Sequence, residues 1–264
     1  MGRKLRNIRL DIEYEGTHYH GWQVQANAVS VSGTIEEALE QVLQHRARLL
    51  GSGRTDAGVH ALGQVANFTT EREIPAENLQ LALNRLLPRD IVIRRAADVP
   101  LEFHARRDAI ERTYRYQFFV GSHPSALYRT LTLHIRRPLN VSAMRQAAGA
   151  FVGSHDFTSF RSRHCDAENP VRTVFSFDVL NDPPFVFLDV KANAFLRNQV
   201  RIMASTLLEV GLGRCPASDV PRILEAKNRD LAGPTLKPRG LLLVHVRYPG
   251  QDAIPMPRTP SSLA

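Results

Sequence analysis

Residues 51–68 read Gly51-Ser52-Gly53-Arg54-Thr55-Asp56-Ala57-Gly58-Val59-His60-Ala61-Leu62-Gly63-Gln64-Val65-Ala66-Asn67-Phe68. Four glycines surround an Arg-Thr-Asp step, and an alternating, strand-like run follows. Glycine at this density lets the backbone take positive φ and come close to a ligand. The fold must therefore carry a tight loop here, with a strand directly after it. Into that loop the sequence sets one carboxylate, Asp56, two residues from the guanidinium of Arg54. A Walker loop is excluded, because the Lys is absent and the glycine spacing is wrong. A dinucleotide fingerprint is excluded too, since it needs Gly where Asp56 stands. Local chemistry leaves two readings open: a catalytic carboxylate, or an Asp that caps a turn.

Charge narrows the partners. The 264 residues carry a formal net charge of +8, and the only lysines are Lys4, Lys191, Lys227 and Lys237. Arginine supplies almost all the positive charge, and its planar fork suits bidentate phosphate contacts and stacking on bases. Such a surplus favours a polyanionic partner, with nucleic acid ahead of a membrane surface. The two cysteines, Cys165 and Cys215, form no CxxC and cannot complete a zinc site alone. A reducing, cytoplasmic setting fits them. No apolar stretch is long enough to span a bilayer, and no signal-peptide core follows the basic start. His18 and His20 have no third ligand nearby, so their loop reads as solvated or RNA-facing rather than metal-binding.

Along the chain, Ile8, Leu10, Ile12 and Tyr14 alternate with charges as a half-buried strand. Thr34 with Glu37 predicts a capping box for an amphipathic helix running to about Leu50, so Asp56 is expected on a helix-to-strand connection. Pro75 starts a second helix closed by Pro88, and Ile91–Ile93 is a short strand. Tyr114, Tyr116 and Phe118 share one face of a basic strand. Tyr116 and Phe118 read as core, and Tyr114, nearest the strand start, is the residue best placed to reach a site. Residues 154–172 read as an irregular, Arg-bearing segment. Thr173–Val179 and Val186–Val190 form a strand pair. The last long helix is expected from about Asn193 to Leu212, with Arg197 and Arg201 sharing a flank of its apolar stripe. Helices and strands come in runs rather than strict βαβ alternation, which indicates an α+β fold with a mostly antiparallel sheet. The expected division is an N-terminal half at 1–108 carrying the loop, a second half at 109–249, and a disordered tail over 250–264.

The assembled motifs resemble the tRNA pseudouridine synthase A family. Gly53-Arg54-Thr55-Asp56-Ala57-Gly58-Val59-His60-Ala61 with Gly63-Gln64-Val65 matches that family's catalytic motif residue for residue. Gly21-Trp22-Gln23-Val24-Gln25, Phe103-His104-Ala105-Arg106, Arg112-Thr113-Tyr114-Arg115-Tyr116, His155-Asp156-Phe157-Thr158-Ser159-Phe160 and Gly240-Leu241 with Tyr248-Pro249 follow in order. The resemblance covers the chain from Ile8 to Pro249. It implies the pseudouridine synthase fold, two similar halves with the active-site cleft between them. It also implies a homodimer, without cofactor or metal, that isomerises uridine to pseudouridine at positions 38, 39 and 40 of the tRNA anticodon arm.

By position, the resemblance makes Asp56 the catalytic aspartate, Tyr114 the tyrosine that stacks on the target base, and Arg201 the basic partner of the aspartate. Arg54, Arg106 and Arg197 join Tyr114 as substrate-binding residues. One departure stands out: the family often shows Phe-Leu-His-His-Met-Val-Arg, where this chain has Phe195-Leu196-Arg197-Asn198-Gln199-Val200-Arg201. The implied chemistry needs an ionised carboxylate in a partly dry pocket and an aromatic surface for a base taken out of its stack. On the residues alone the competing reading is an RNA-binding or RNA-chaperone protein. A metal-dependent nuclease would need clustered carboxylates that the loop does not supply.

Overall fold

The computed structural model describes residues 4–250, so the tail expected over 250–264 lies, beyond Gly250, outside the described residues. Among these, the chain divides into two compact units. One holds the residues up to Ile110 together with those from Leu243, and the other holds Glu111–Leu242.

In the first unit, β1 (Arg6–Tyr14) lies between two antiparallel neighbours. These are β3 (His60–Thr70), which also takes the two-residue β2 (Leu50–Gly51), and β4 (Ile91–Val99). The final strand, β10 (Leu241–Arg247), lies beside β3 and so returns to this unit late in the sequence. The alternation read from β1 is realised: Ile8, Leu10, Ile12 and Tyr14 are buried, and the charged residues between them are half-exposed. Helices α1 (Val31–Leu43) and α2 (Ala76–Leu86) cover this core with Ile35, Leu39, Leu79 and Leu83.

Two expectations are corrected here. The cap of α1 is Ser30, whose Oγ accepts from the Gly33 N–H at 3.2 Å, and not Thr34. Thr34 instead turns its hydroxyl back onto the Ser30 carbonyl. The helix ends at Leu43 rather than near Leu50, because Gln44 takes a left-handed conformation (φ 59) that cannot continue it. A short strand therefore intervenes, and Asp56 lies on a β2-to-β3 connection.

In the second unit, β5 (Glu111–Val120), β9 (Phe185–Ala192), β8 (Val171–Asp182) and β7 (Gly153–Asp156) follow in antiparallel order. The three-residue β6 (Leu133–Ile135) pairs in parallel with the end of β5. The segment read as irregular thus supplies β7 and the first residues of β8. Tyr116 and Phe118 are fully buried as expected. On the opposite face Arg115 and Asp189, cross-strand partners, make two 2.7 Å hydrogen bonds with both side chains about 5% exposed or less.

Three helices, α3 (Val141–Gly149), α4 (Gln199–Gly211) and α5 (Asp219–Glu225), complete the unit. Helix α4 is buried on almost all sides, the signature of a central core helix. It starts six residues later than its apolar spacing suggested. Asn193 Oδ1 accepts from the Thr173 and Ala194 N–H groups and closes off β9, and Asn198 takes φ 63 directly before the first helical turn. Arg197 therefore stands outside the helix and does not share a flank with Arg201.

Candidate active site

Asp56 sits in a turn that the main chain ties down from several sides. The Val59 N–H closes it onto the Asp56 carbonyl at 3.1 Å, and Gly58, third in the turn, has φ 75, a conformation that favours glycine. The carbonyl of the preceding residue, Thr55, accepts from the Trp22 N–H at 3.1 Å, and the Gly58 N–H donates to the Tyr19 carbonyl at 3.1 Å. Gly21 makes this approach possible. Its φ is +93, and a Cβ there would stand 2.6 Å from the Thr55 oxygen.

Side chains lock the loop from beneath. Tyr14 Oη and Thr55 Oγ1 share a buried hydrogen bond of 2.7 Å, and burial pushes the Tyr14 phenol up, so it stays protonated. Gln64 receives the Ser52 hydroxyl at 2.7 Å and donates to the Gly53 carbonyl at 2.9 Å. His60 accepts the Gly16 N–H on Nδ1 at 3.0 Å. With that lone pair used, the 3.8 Å approach of Glu15 to the same nitrogen is not an ion pair made through a proton there. The net effect is a loop fixed at its main chain, with Asp56 half-exposed and Arg54 exposed at its rim.

The motif Phe103-His104-Ala105-Arg106 is also built into the first unit. Asn67 Oδ1 on β3 accepts from the Ala105 N–H at 2.9 Å, and Asn67 Nδ2 reaches Asn7 Oδ1 at 3.0 Å. The Tyr248 hydroxyl donates to the Ala105 carbonyl at 2.7 Å. His104 Nδ1 accepts from the Arg106 N–H at 3.1 Å, and the Arg106 side chain is exposed. Tyr248 belongs to a motif quoted for the family resemblance, and Asn67 lies in the loop-to-strand run, but residue type gave neither an anchoring role. Their hydrogen bonds to Ala105 show it.

In the second unit, Tyr114 is 8% exposed near the start of β5 and meets Phe195 edge-on, with ring centroids 5.2 Å apart. Arg201, in the first turn of α4, is held at both ends of its guanidinium. Nε donates to the Leu236 carbonyl at 2.7 Å and Nη1 to Asn198 Oδ1 at 2.8 Å. This gives the Arg197-Asn198-Gln199 departure a physical content. Asn198 tolerates the left-handed backbone and braces Arg201. Gln199, fully buried, accepts from the Leu196 N–H at 2.8 Å. Arg197 is exposed and reaches the His164 carbonyl at 3.2 Å. The bracing role of Asn198 had no sequence signal, because the apolar spacing set it inside the expected helix.

Among the described residues no group of three or more His, Cys, Asp or Glu is arranged to hold a metal ion, and no helix is long and apolar enough to cross a membrane.

Comparison with known proteins shows the class to which this Gly-rich loop and its one carboxylate belong. A family model described as "tRNA pseudouridine synthase" matches residues 12–108 and 147–249. The tRNA pseudouridine synthase A of Geobacter sp. (strain M21) is 48% identical over 93% of this chain and 100% of its own length. That of Acetivibrio thermocellus is 45% identical over 92% of this chain and, again, all of its own length. A chain from a structure titled "Crystal Structure of a Cbf5-Nop10-Gar1 Complex" aligns over 80% of this chain and 55% of that one. Its TM-score of 0.32 and 11% identity are too low to bear weight. The chain belongs to the tRNA pseudouridine synthase A family.

Proposed function

We propose that this protein isomerises uridine to pseudouridine in tRNA, at positions 38, 39 and 40 of the anticodon arm, with Asp56 as the essential carboxylate. The observation that carries the reading is the Asp56 turn, held by the Trp22, Gly58 and Val59 N–H groups in a chain of this family. A turn restrained on all sides is a costly way to build a surface cap and a direct way to aim one side chain. The reaction breaks the C1′–N1 bond of uridine, turns the base, and joins C1′ to C5; C5 gives up its hydrogen as a proton and N1 takes one up. Atoms and electrons balance within the substrate, so the reading calls for no cofactor.

Tyr114 supplies the surface on which the extruded base rests, and its edge contact with Phe195 supports a fixed ring plane. Arg201 is the basic partner that the family resemblance assigns to the catalytic aspartate. Its double brace supports a fixed charge. Arg54, Arg106 and Arg197, all exposed, contact RNA phosphates. The protein acts as a homodimer in the cytoplasm. The family resemblance supports the first point, and the two free thiols, Cys165 and Cys215, fit the second.

The test is pseudouridine mapping by carbodiimide adduct and reverse-transcription stops on unmodified tRNA. New stops confined to the anticodon arm are expected from the wild type. Stops elsewhere, or none, would overturn the assignment of substrate.

A further inference from the structure

The segment from Asn228 to Gly240 crosses the second unit as a strap, and two of its carbonyls are engaged, one by Arg201 and one by the core residue Tyr116. The Leu236 carbonyl accepts from Arg201 Nε at 2.7 Å, and the next one, of Lys237, accepts from the Tyr116 hydroxyl at 2.7 Å. From these anchors the chain turns through a short 3-10 helix, Pro238–Gly240, which leaves the side chains of Lys237 and Arg239 exposed on either side of Pro238. Arg239 is near enough to Tyr116 to act on its hydroxyl together with Arg201. Burial raises the Tyr116 phenol, and the two guanidiniums oppose that rise.

Two cations, Arg201 and Arg239, thus act on one tyrosine hydroxyl, and a third, Lys237, is exposed on the residue whose carbonyl accepts from that hydroxyl. Among the described residues, neither the Lys237 ammonium nor the Arg239 guanidinium makes an ion pair. Some exposed cations elsewhere on this unit do find carboxylates, as Arg222 does with Asp219, Arg214 with Glu209 and Lys227 with Asp156. Like charges two residues apart on a turn repel one another, and a polyanion relieves that repulsion.

We propose that Lys237 and Arg239 form a phosphate clamp that grips the RNA backbone next to the nucleotide served by Arg201. The clamp rests on the proposed RNA substrate and adds two binding residues to it. Because the strap carbonyls also brace Arg201 and Tyr116, backbone grip and Arg201 placement share one scaffold.

The experiment measures tRNA binding from 50 to 300 mM KCl, with saturated single-turnover pseudouridine formation alongside, for Lys237→Ala, Arg239→Ala and the charge-keeping Lys237→Arg and Arg239→Lys. Each alanine variant is expected to weaken binding about 3- to 10-fold at low salt and to reduce the slope of log K against log salt by about 1. The loss in affinity should exceed any loss in the saturated rate, and the charge-keeping variants should return the wild-type slope. Arg222→Ala, which removes an equally exposed charge already paired with Asp219, should leave slope and rate alone. Unchanged slopes in both alanine variants, or an equal fall for Arg222→Ala, would overturn the clamp. If the slopes fall as expected while the wild type forms no pseudouridine, the clamp stands and the proposed reaction fails.

Discussion

In the first unit the turn carrying Asp56 is tied down by main-chain groups: the Trp22, Gly58 and Val59 N–H donors, and a glycine with φ +93 that lets two strands of chain meet. In the second unit Arg201 is held through its own side chain, by one carbonyl of the strap and one side-chain amide. The difference follows from reach. A short carboxylate can be aimed only by fixing the backbone it grows from, whereas a long guanidinium can be steered at its tip by any acceptor in range. The carboxylate's constraints are therefore written as glycines and aromatics, Gly58 in the turn itself and Tyr19, Gly21 and Trp22 more than thirty residues before it. Those of the cation are one amide three residues before it and one carbonyl on a segment more than thirty residues after it.

The sharpest way to break this contrast is to disturb the main-chain anchor. Gly21→Ala forces a left-handed backbone on alanine and drives a Cβ to 2.6 Å from the Thr55 oxygen. A loss of about 2–4 kcal/mol in urea unfolding is expected, and pseudouridine formation should fall with it. A loss below about 1 kcal/mol would mean that the loop is not held in the way described.

Asn198→Ala tests the side-chain anchor and should be milder. Alanine at φ 63 and the lost amide acceptor together cost about 1–2 kcal/mol. Asn198→Gly relieves the backbone part alone, so turnover that recovers with Gly would show that the brace on Arg201 matters less than the bend.

The smallest effect is expected at a pair outside both arrangements. Arg6 makes two 2.8 Å hydrogen bonds to Asp98, which hold that carboxyl below its ordinary range although partial burial pushes it up. A carboxyl with a lowered folded-state pKa stabilises above its unfolded value, near 4. That contribution is lost as pH falls through the lower, folded value. Asp98→Asn should therefore cost less than about 1 kcal/mol at pH 7, given solvent screening of so exposed a pair. The gap from wild type should close below about pH 4 in thermal melts.

The α+β class, the β1 alternation and the site loop were legible because period-two patterning and glycine clustering are local signals. Helix boundaries were less so. The apolar spacing from Leu196 through Leu207 continues past the point where Asn198 reverses the backbone, and a stripe cannot register a single positive φ. Arg197 was therefore read on a helix it does not join. Burial on the far face of β5 was hidden for another reason. Arg115 reads as a solvated strand charge until register sets Asp189 opposite it. The strap of Leu236 and Lys237 was silent because carbonyl acceptors carry no residue-type signature.

The most direct test of the central claim follows tritium release from tRNA labelled at C5 of uridine, with wild type and Asp56→Asn side by side and tRNA affinity measured for both. The account predicts release by the wild type, none above background by Asp56→Asn, and comparable binding by each. Release by Asp56→Asn at a rate near that of the wild type would contradict it, and would return Asp56 to the role of a turn cap.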